Sequence, residues 1–244
     1  MRALATLFAV VALSLSLPSA TGAGGNLTVF TAASLTEVFP KIDPSPRYSF
    51  AGSDQLALQI RQGAPADVYA AASPKHPQLL YQDGLVTKPI TFATNKLVVL
   101  VPRSNPRHID SVYDLRRSGV KVVIGDRGVP IGAYTRQLLD ALGITDAVVR
   151  NVVSEETDVK GIVSKVALGE ADAGFVYVTD SKPVASRVRR IQLPNWAQPS
   201  IRYQISIVSS TPRKVGARAF IRKVTSKRGR TLLLRAGFGV PKKR

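Results

Sequence analysis

At 244 residues the chain is long enough for one large domain or two lobes of roughly 100 residues, and its 45% hydrophobic content provides for real cores. It has no cysteine, which excludes disulfides, thiolate metal sites, cysteine nucleophiles and a bacterial lipid anchor together. The net charge of +18 is uneven: all 16 acidic residues lie at or before Asp180, and the stretch from Ser181 to the end holds 17 Lys and Arg.

The first residues read as a targeting segment. Ala3 to Leu17 is an apolar run behind Arg2, followed by the small-residue sites Pro18-Ser-Ala20 and Thr21-Gly-Ala23. The run is too short for a membrane span and fits a cleaved secretory signal over residues 1–23. The mature product is expected outside the cytoplasm, periplasmic or extracellular, exported and without a lipid anchor.

Strands and helices then alternate at short spacing. Leu27–Thr31 predicts a strand, and Ser34 with Glu37 has capping-box spacing at the start of a short helix. Tyr48–Phe50 is a strand, Asp54–Gln62 a helix stopped at Gly63, Asp67–Ala71 a strand, and Pro74–Asp83 a helix ended by Gly84. Leu97–Val101 has the continuous apolar character of a buried strand, and Ser111 with Asp114 caps another short helix. Lys121–Ile124 predicts a strand, Ile131–Leu142 a helix ending at Gly143, and Val148–Val153 a strand. Val159–Leu168 is a helix, and Gly174–Val178 and Ile201–Val208 are strands. Two basic helices, about Val215–Thr225 and Arg228–Arg235, close the chain.

This alternation points to α/β lobes with mostly parallel strands. No linker is visible, so any passage between lobes falls on extended segments, for which Phe92–Leu97 and Pro199–Ser206 are the candidates. Lobe one is then 25–95 with 204–244, and lobe two 96–203. Ligands of such folds bind at the carboxyl ends of strands, here between the lobes.

Three stretches share one layout. Thr31-Ala-Ala-Ser34, Phe50-Ala-Gly-Ser53 and Gly174-Phe-Val-Tyr177 each read as a strand end followed by, or ending in, a hydroxyl-bearing residue. The first two run into helices. Backbone N–H groups and the positive end of a helix dipole suit an anion there, and hydroxyls add neutral donors. Ser34 and Ser53 could equally be plain N-caps, and Tyr177 an ordinary strand residue.

Taken together, six segments resemble the periplasmic molybdate-binding proteins of ABC importers, which have the type II solute-binding-protein fold. They are Val29-Phe-Thr-Ala-Ala-Ser-Leu35, Phe50-Ala-Gly-Ser53, Gln62-Gly-Ala-Pro-Ala-Asp-Val68, Gly125-Asp-Arg-Gly-Val-Pro-Ile-Gly132, Thr157-Asp-Val159 and Ala173-Gly-Phe-Val-Tyr-Val-Thr-Asp180. The resemblance covers essentially all of the chain after the signal segment. It implies two Rossmann-like α/β lobes with mixed sheets, joined by two crossing strands, with a ligand cleft between them. It also implies that Ser34 and Ser53 donate hydroxyl and amide, Ile131 and Val159 donate main-chain N–H, and Tyr177 donates its hydroxyl to molybdate or tungstate. The metal would be held as its oxyanion, with no direct coordination and no cofactor. The implied partners are a small oxyanion and the membrane permease of an importer, with a monomeric binding protein and no nucleic acid.

Three departures from the family pattern stand out. Ile131 occupies a position where a small residue is common, Asp54 follows Ser53 where a neutral one is common, and the segment from Leu35 to Arg47 is short. Asp54 is expected to point away from a dianion, since two negative charges repel. Exclusion of phosphate through a lack of acceptors would fail if Asp54 or Asp158 reached the pocket.

Enzyme readings find little support. The chain has two histidines, His76 and His108, both in polar, surface-like contexts, and no G-x-S-x-G elbow. The rival readings are a receptor for another oxyanion such as sulfate, and a secreted module that binds an anionic polymer through the basic final quarter.

Overall fold

The computed structural model describes residues 26–241; the signal-segment reading over 1–23 lies outside them. In chain order the strands and helices are β1 Thr28–Ala32, α1 Phe39–Ile42, β2 Arg47–Ala51, α2 Ser53–Arg61, β3 Val68–Ala71 and α3 Lys75–Gln82. Next come β4 Ile90–Asn95, β5 Leu97–Pro102, β6 Val122–Gly125, α4 Pro130–Leu142, α5 Thr145–Val149, β7 Val152–Glu156 and α6 Val159–Ala167. The chain continues through β8 Ala173–Tyr177, α7 Val178–Ser181, β9 Val188–Ile191, β10 Ile201–Ile207, α8 Lys214–Thr225 and α9 Lys227–Ala236.

The strands form two five-stranded sheets of one pattern, β2-β1-β3-β10-β4 and β7-β6-β8-β5-β9. In each, the first three are parallel and the last two pair antiparallel. The sheets are therefore mixed rather than mostly parallel. The reason is that β5 and β10 follow directly from the other sheet, without a crossover helix to reverse them. The chain leaves the first sheet at Lys96 and rejoins it at Ile201, three residues before the boundary expected at 204.

Period-2 alternation gives the first sheet two buried faces. Phe30, Tyr69 and Ala71 pack with Leu56 and Ile60 of α2 and Leu80 of α3. Val29, Val68 and Ala70 join the larger core with Phe39 and with Phe220 of α8, whose rings meet edge-on at 5.6 Å. In the second sheet β5 lies between β8 and β9, and Leu97 to Val101 are wholly buried, as an unbroken apolar run requires. No helix among the described residues is long and apolar enough to cross a membrane.

Two local expectations fail. The β-branched run Val148–Val153 splits into the end of α5, where Val148 is buried beside Ile144, and β7 from Val152 onward. Ser34 and Glu37 do not form a capping box: Ser34 lies in a single 3-10 turn with no side-chain cap, and α1 begins only at Phe39. By contrast Ser111 and Asp114 do form one, with Asp114 accepting the Ser111 N–H at 2.9 Å.

Candidate functional site

The carboxyl ends of β1, β2 and β3 face those of β6, β7 and β8 across a small cavity of about 20 Å3. One water needs roughly 10–15 Å3 on this scale, so the space suits a small ion rather than a sugar or peptide. All five residues expected at the site line it: Ser34 and Ser53 from the first sheet, Ile131, Val159 and Tyr177 from the second.

Each is placed by a local reason. Ser53 opens α2, and its hydroxyl oxygen accepts the Ala72 N–H at 3.1 Å while Tyr69 donates to its carbonyl at 2.6 Å. With its acceptor role filled, the Ser53 proton is left for the cavity. Ser34 is held at 2.9 Å from the Tyr203 hydroxyl, and both are buried.

On the other wall, Pro130 begins α4, so Ile131 lies in the first turn, where N–H groups lack intrahelical acceptors. That helix start is seated on the end of β6, since a Cβ on Gly132 would stand 2.0 Å from the Asp126 carbonyl oxygen. Val159 is the first residue of α6. The cap, Asp158, accepts Lys160 N–H at 2.7 Å and Gly161 N–H at 3.2 Å, which leaves the Val159 amide to other partners. Tyr177 ends β8 with 1% exposure, and its hydroxyl is buried without a protein partner. Burial pushes its phenol well above the usual value, so it stays protonated and able to donate.

The two aspartates differ. Asp54 is not part of the cavity wall. One carboxylate oxygen is buried without a hydrogen bond, and the other faces the Gly128 loop. It makes no side-chain cap on α2. Asp158 does line the cavity, so the wall is not made of donors alone; its Oδ1 is engaged in the α6 cap.

Beyond the wall, Asp180 is fully buried, and burial lifts its carboxyl to about 6, against the opposing pull of Lys160 at 3.3 Å. His76 is not a surface residue as the sequence suggested. It is 9% exposed, with Nε2 3.3 Å from the Gly128 carbonyl oxygen across the seam, and burial lowers its pKa. Sequence reasoning also missed Tyr69 and Tyr203, which hold the serines, and Asn95 behind Tyr203; all three lie outside the six segments. No cluster of three or more His, Cys, Asp or Glu able to hold a metal ion occurs among the described residues.

The sequence pattern of the family described as bacterial extracellular solute-binding protein matches residues 27–239. The chain belongs to that family. It is a binding protein and not an enzyme. The molybdate-binding protein ModA of Mycobacterium tuberculosis (strain ATCC 25618 / H37Rv) is 38% identical over 226 residues, covering 88% of this chain and 85% of the relative. ModA of Escherichia coli (strain K12) is 32% identical over 226 residues, covering 83% and 85%. Among solved structures, the periplasmic molybdate-binding protein of Azotobacter vinelandii superimposes with a TM-score of 0.79 at 25% identity, covering 89% of this solute-binding protein and all of that chain.

Proposed function

We propose that this solute-binding protein captures molybdate, and tungstate with it, through the hydroxyls of Ser34, Ser53 and Tyr177 and the amides of Ile131 and Val159. It then delivers the anion to the permease of an ABC importer. The observation that carries the reading is convergence: donors from five separate strand ends meet at one small cavity, and the buried Tyr177 hydroxyl there has no protein partner. The names of the relatives support the choice of anion.

Neutral donors suit reversible capture, because hydrogen bonds share the charge of a dianion without a buried cation to slow release. Selectivity over sulfate follows from size, since fixed donors cannot all reach a smaller tetrahedron. In this reading residues 25–95 with 204–244 form one lobe and 96–203 the other, and they close on the ligand by a hinge. The protein acts as a monomer, exported by its signal segment and free of a lipid anchor.

Calorimetric titration with molybdate, tungstate, sulfate and phosphate tests this directly. Trp196 is 70% exposed and outside the cavity wall, so heat is a better reporter than fluorescence. Tight isotherms for molybdate and tungstate with weak ones for sulfate and phosphate are expected, phosphate on size alone because Asp158 gives the wall an acceptor. Tight sulfate binding with none for molybdate would establish the other oxyanion reading.

A further inference from the structure

We infer that Asn95 and Tyr203 are positioning residues that aim the Ser34 proton into the cavity and tie it to both strands on which the lobes hinge. The inference rests on the function proposed above and concerns residues outside the cavity wall.

Asn95 is the last residue of β4, immediately before the chain leaves the first sheet, and Tyr203 is the third residue of β10, just after it returns. Both are buried. The Lys96 N–H donates to Asn95 Oδ1 at 2.9 Å, which identifies the oxygen end of the amide and leaves Nδ2 with two protons to give. One goes to Thr179 Oγ1 at 3.0 Å, in α7 on the far side of the cleft. The other faces the Tyr203 hydroxyl at 3.4 Å, a long bond.

A phenol that accepts from Asn95 has its own proton left to donate. Its other partner among the described residues is Ser34 Oγ at 2.9 Å, so Ser34 accepts. The Ser34 proton then turns away from Tyr203; of the two spaces that Ser34 lines, the cavity is the one it shares with Ser53 and Tyr177. Burial keeps the Tyr203 phenol protonated throughout the physiological range. Were Ser34 to donate instead, the Tyr203 oxygen would accept from both Asn95 and Ser34, and its own buried proton would have no acceptor among the described residues.

The Asn95–Thr179 bond lies at the crossing itself, beside the Val178 N–H that donates to the Lys96 carbonyl at 3.0 Å, and that same amide fixes the direction of the Tyr203 bond.

Tyr203→Phe removes one hydroxyl and keeps the ring, which packs edge-on to Phe92, Tyr177 and Phe238 at centroid distances of 6.2, 5.9 and 5.3 Å. The test is a double-mutant cycle on molybdate Kd by calorimetry, with Tyr203→Phe and Ser34→Ala. Tyr203→Phe alone is expected to raise Kd about tenfold, the scale of one hydrogen bond to a charged group. In the Ser34→Ala background it should change Kd less than twofold, with the relay's last member already gone. Equal losses in both backgrounds would show a packing role and overturn the inference, as would no loss in either. If Ser34→Ala and Ser53→Ala also left Kd unchanged, the proposed binding site itself would be wrong, a distinguishable result. Asn95→Leu, which keeps bulk but removes both protons, should reproduce the Tyr203→Phe defect, and normal affinity in that variant would count against the relay.

Discussion

Lys160 Nζ lies 3.7 Å from Glu37 Oε1, and the two residues come from opposite sides of the cleft. Lys160 is the second residue of α6, beside the Val159 amide, and Glu37 follows Ser34 by three positions. Both side chains are partly exposed, at 30% and 49%, so the pair is worth at most about 1 kcal/mol. Glu37→Gln should raise the molybdate dissociation rate about two- to fivefold and leave association nearly unchanged. Stopped-flow measurement at low and high salt checks this, because screening should bring the wild type toward the variant.

Gly52 faces the opposite side at close range: a Cβ there would stand 2.5 Å from the Thr157 carbonyl oxygen across the cleft, and 2.7 Å from the tip of the Asp54 side chain in its own lobe. Its backbone angles, φ −57 and ψ 137, suit any residue, so Gly52→Ala carries no local backbone strain. The added methyl instead holds the cleft apart, on the usual scale of overpacking of about 1–3 kcal/mol. Molybdate affinity should fall by that amount while the ligand-free melting temperature moves little; a matching fall in both would place the clash within one lobe.

Ser34→Ala and Ser53→Ala should each weaken molybdate binding by ~1.5–3 kcal/mol. Ser53→Ala also strands the buried Ala72 N–H and Ser34→Ala the buried Tyr203 hydroxyl, so each should lower ligand-free stability as well, by about 1–3 kcal/mol. Paired calorimetry and denaturant unfolding separate the two effects.

Asp180 gives the fold a pH dependence of definite sign. Its carboxyl titrates near 6 in the folded protein and near 3.8 when unfolded. The protonated form is thus favoured by folding, and the contribution is fully present below about 3.8 and lost as pH rises through about 6. At 1.36 kcal/mol per unit this amounts to roughly 2–3 kcal/mol. Asp180→Asn should remove that component, so the stability difference between variant and wild type should grow in favour of the variant from pH 4 to pH 7.5. A constant difference across that range would show that Asp180 stays ionised.

The basic final quarter forms a real surface. Lys214, Arg218, Arg222, Lys227 and Arg228 on α8 and α9 are exposed, and among the described residues none forms an ion pair with an acid. None lines the cavity. A field of that kind accelerates encounter with anions without holding them. Replacing Arg218, Arg222, Lys227 and Arg228 with Gln should slow molybdate association severalfold at low salt and leave dissociation unchanged; an on-rate flat across salt in both proteins would exclude steering.

Much of this was legible in the sequence where local chemistry decides. Gly143 ends α4 in the left-handed conformation at φ 68, as a helix followed by glycine suggests. Of the five residues that line the cavity, Ser34, Ser53 and Tyr177 carry a local signal as hydroxyls at strand ends, while Ile131 and Val159 were named through the family resemblance. What escaped depends on distant partners. Ser34 and Glu37 look like a capping box, yet Ser34 pairs with Tyr203, 169 positions away, and Glu37 turns to Lys160. His76 reads as polar surface because its partner, the Gly128 carbonyl, is 52 positions off. Strand β4 hid among crossing residues, and its Asn95 matters through bonds to Lys96, Thr179 and Tyr203 that no spacing rule connects.

Where the chain passes between the sheets, Gln198 grips Leu97 twice, accepting its N–H at 2.9 Å and donating to its carbonyl at 2.8 Å. A side-chain amide here copies the pairing of a neighbouring strand and joins the two ends of the 97–198 segment at one point. That segment is thus a loop of chain spliced into the first lobe with its ends already pinned together, and it should accept new termini elsewhere when 97 and 198 are bridged.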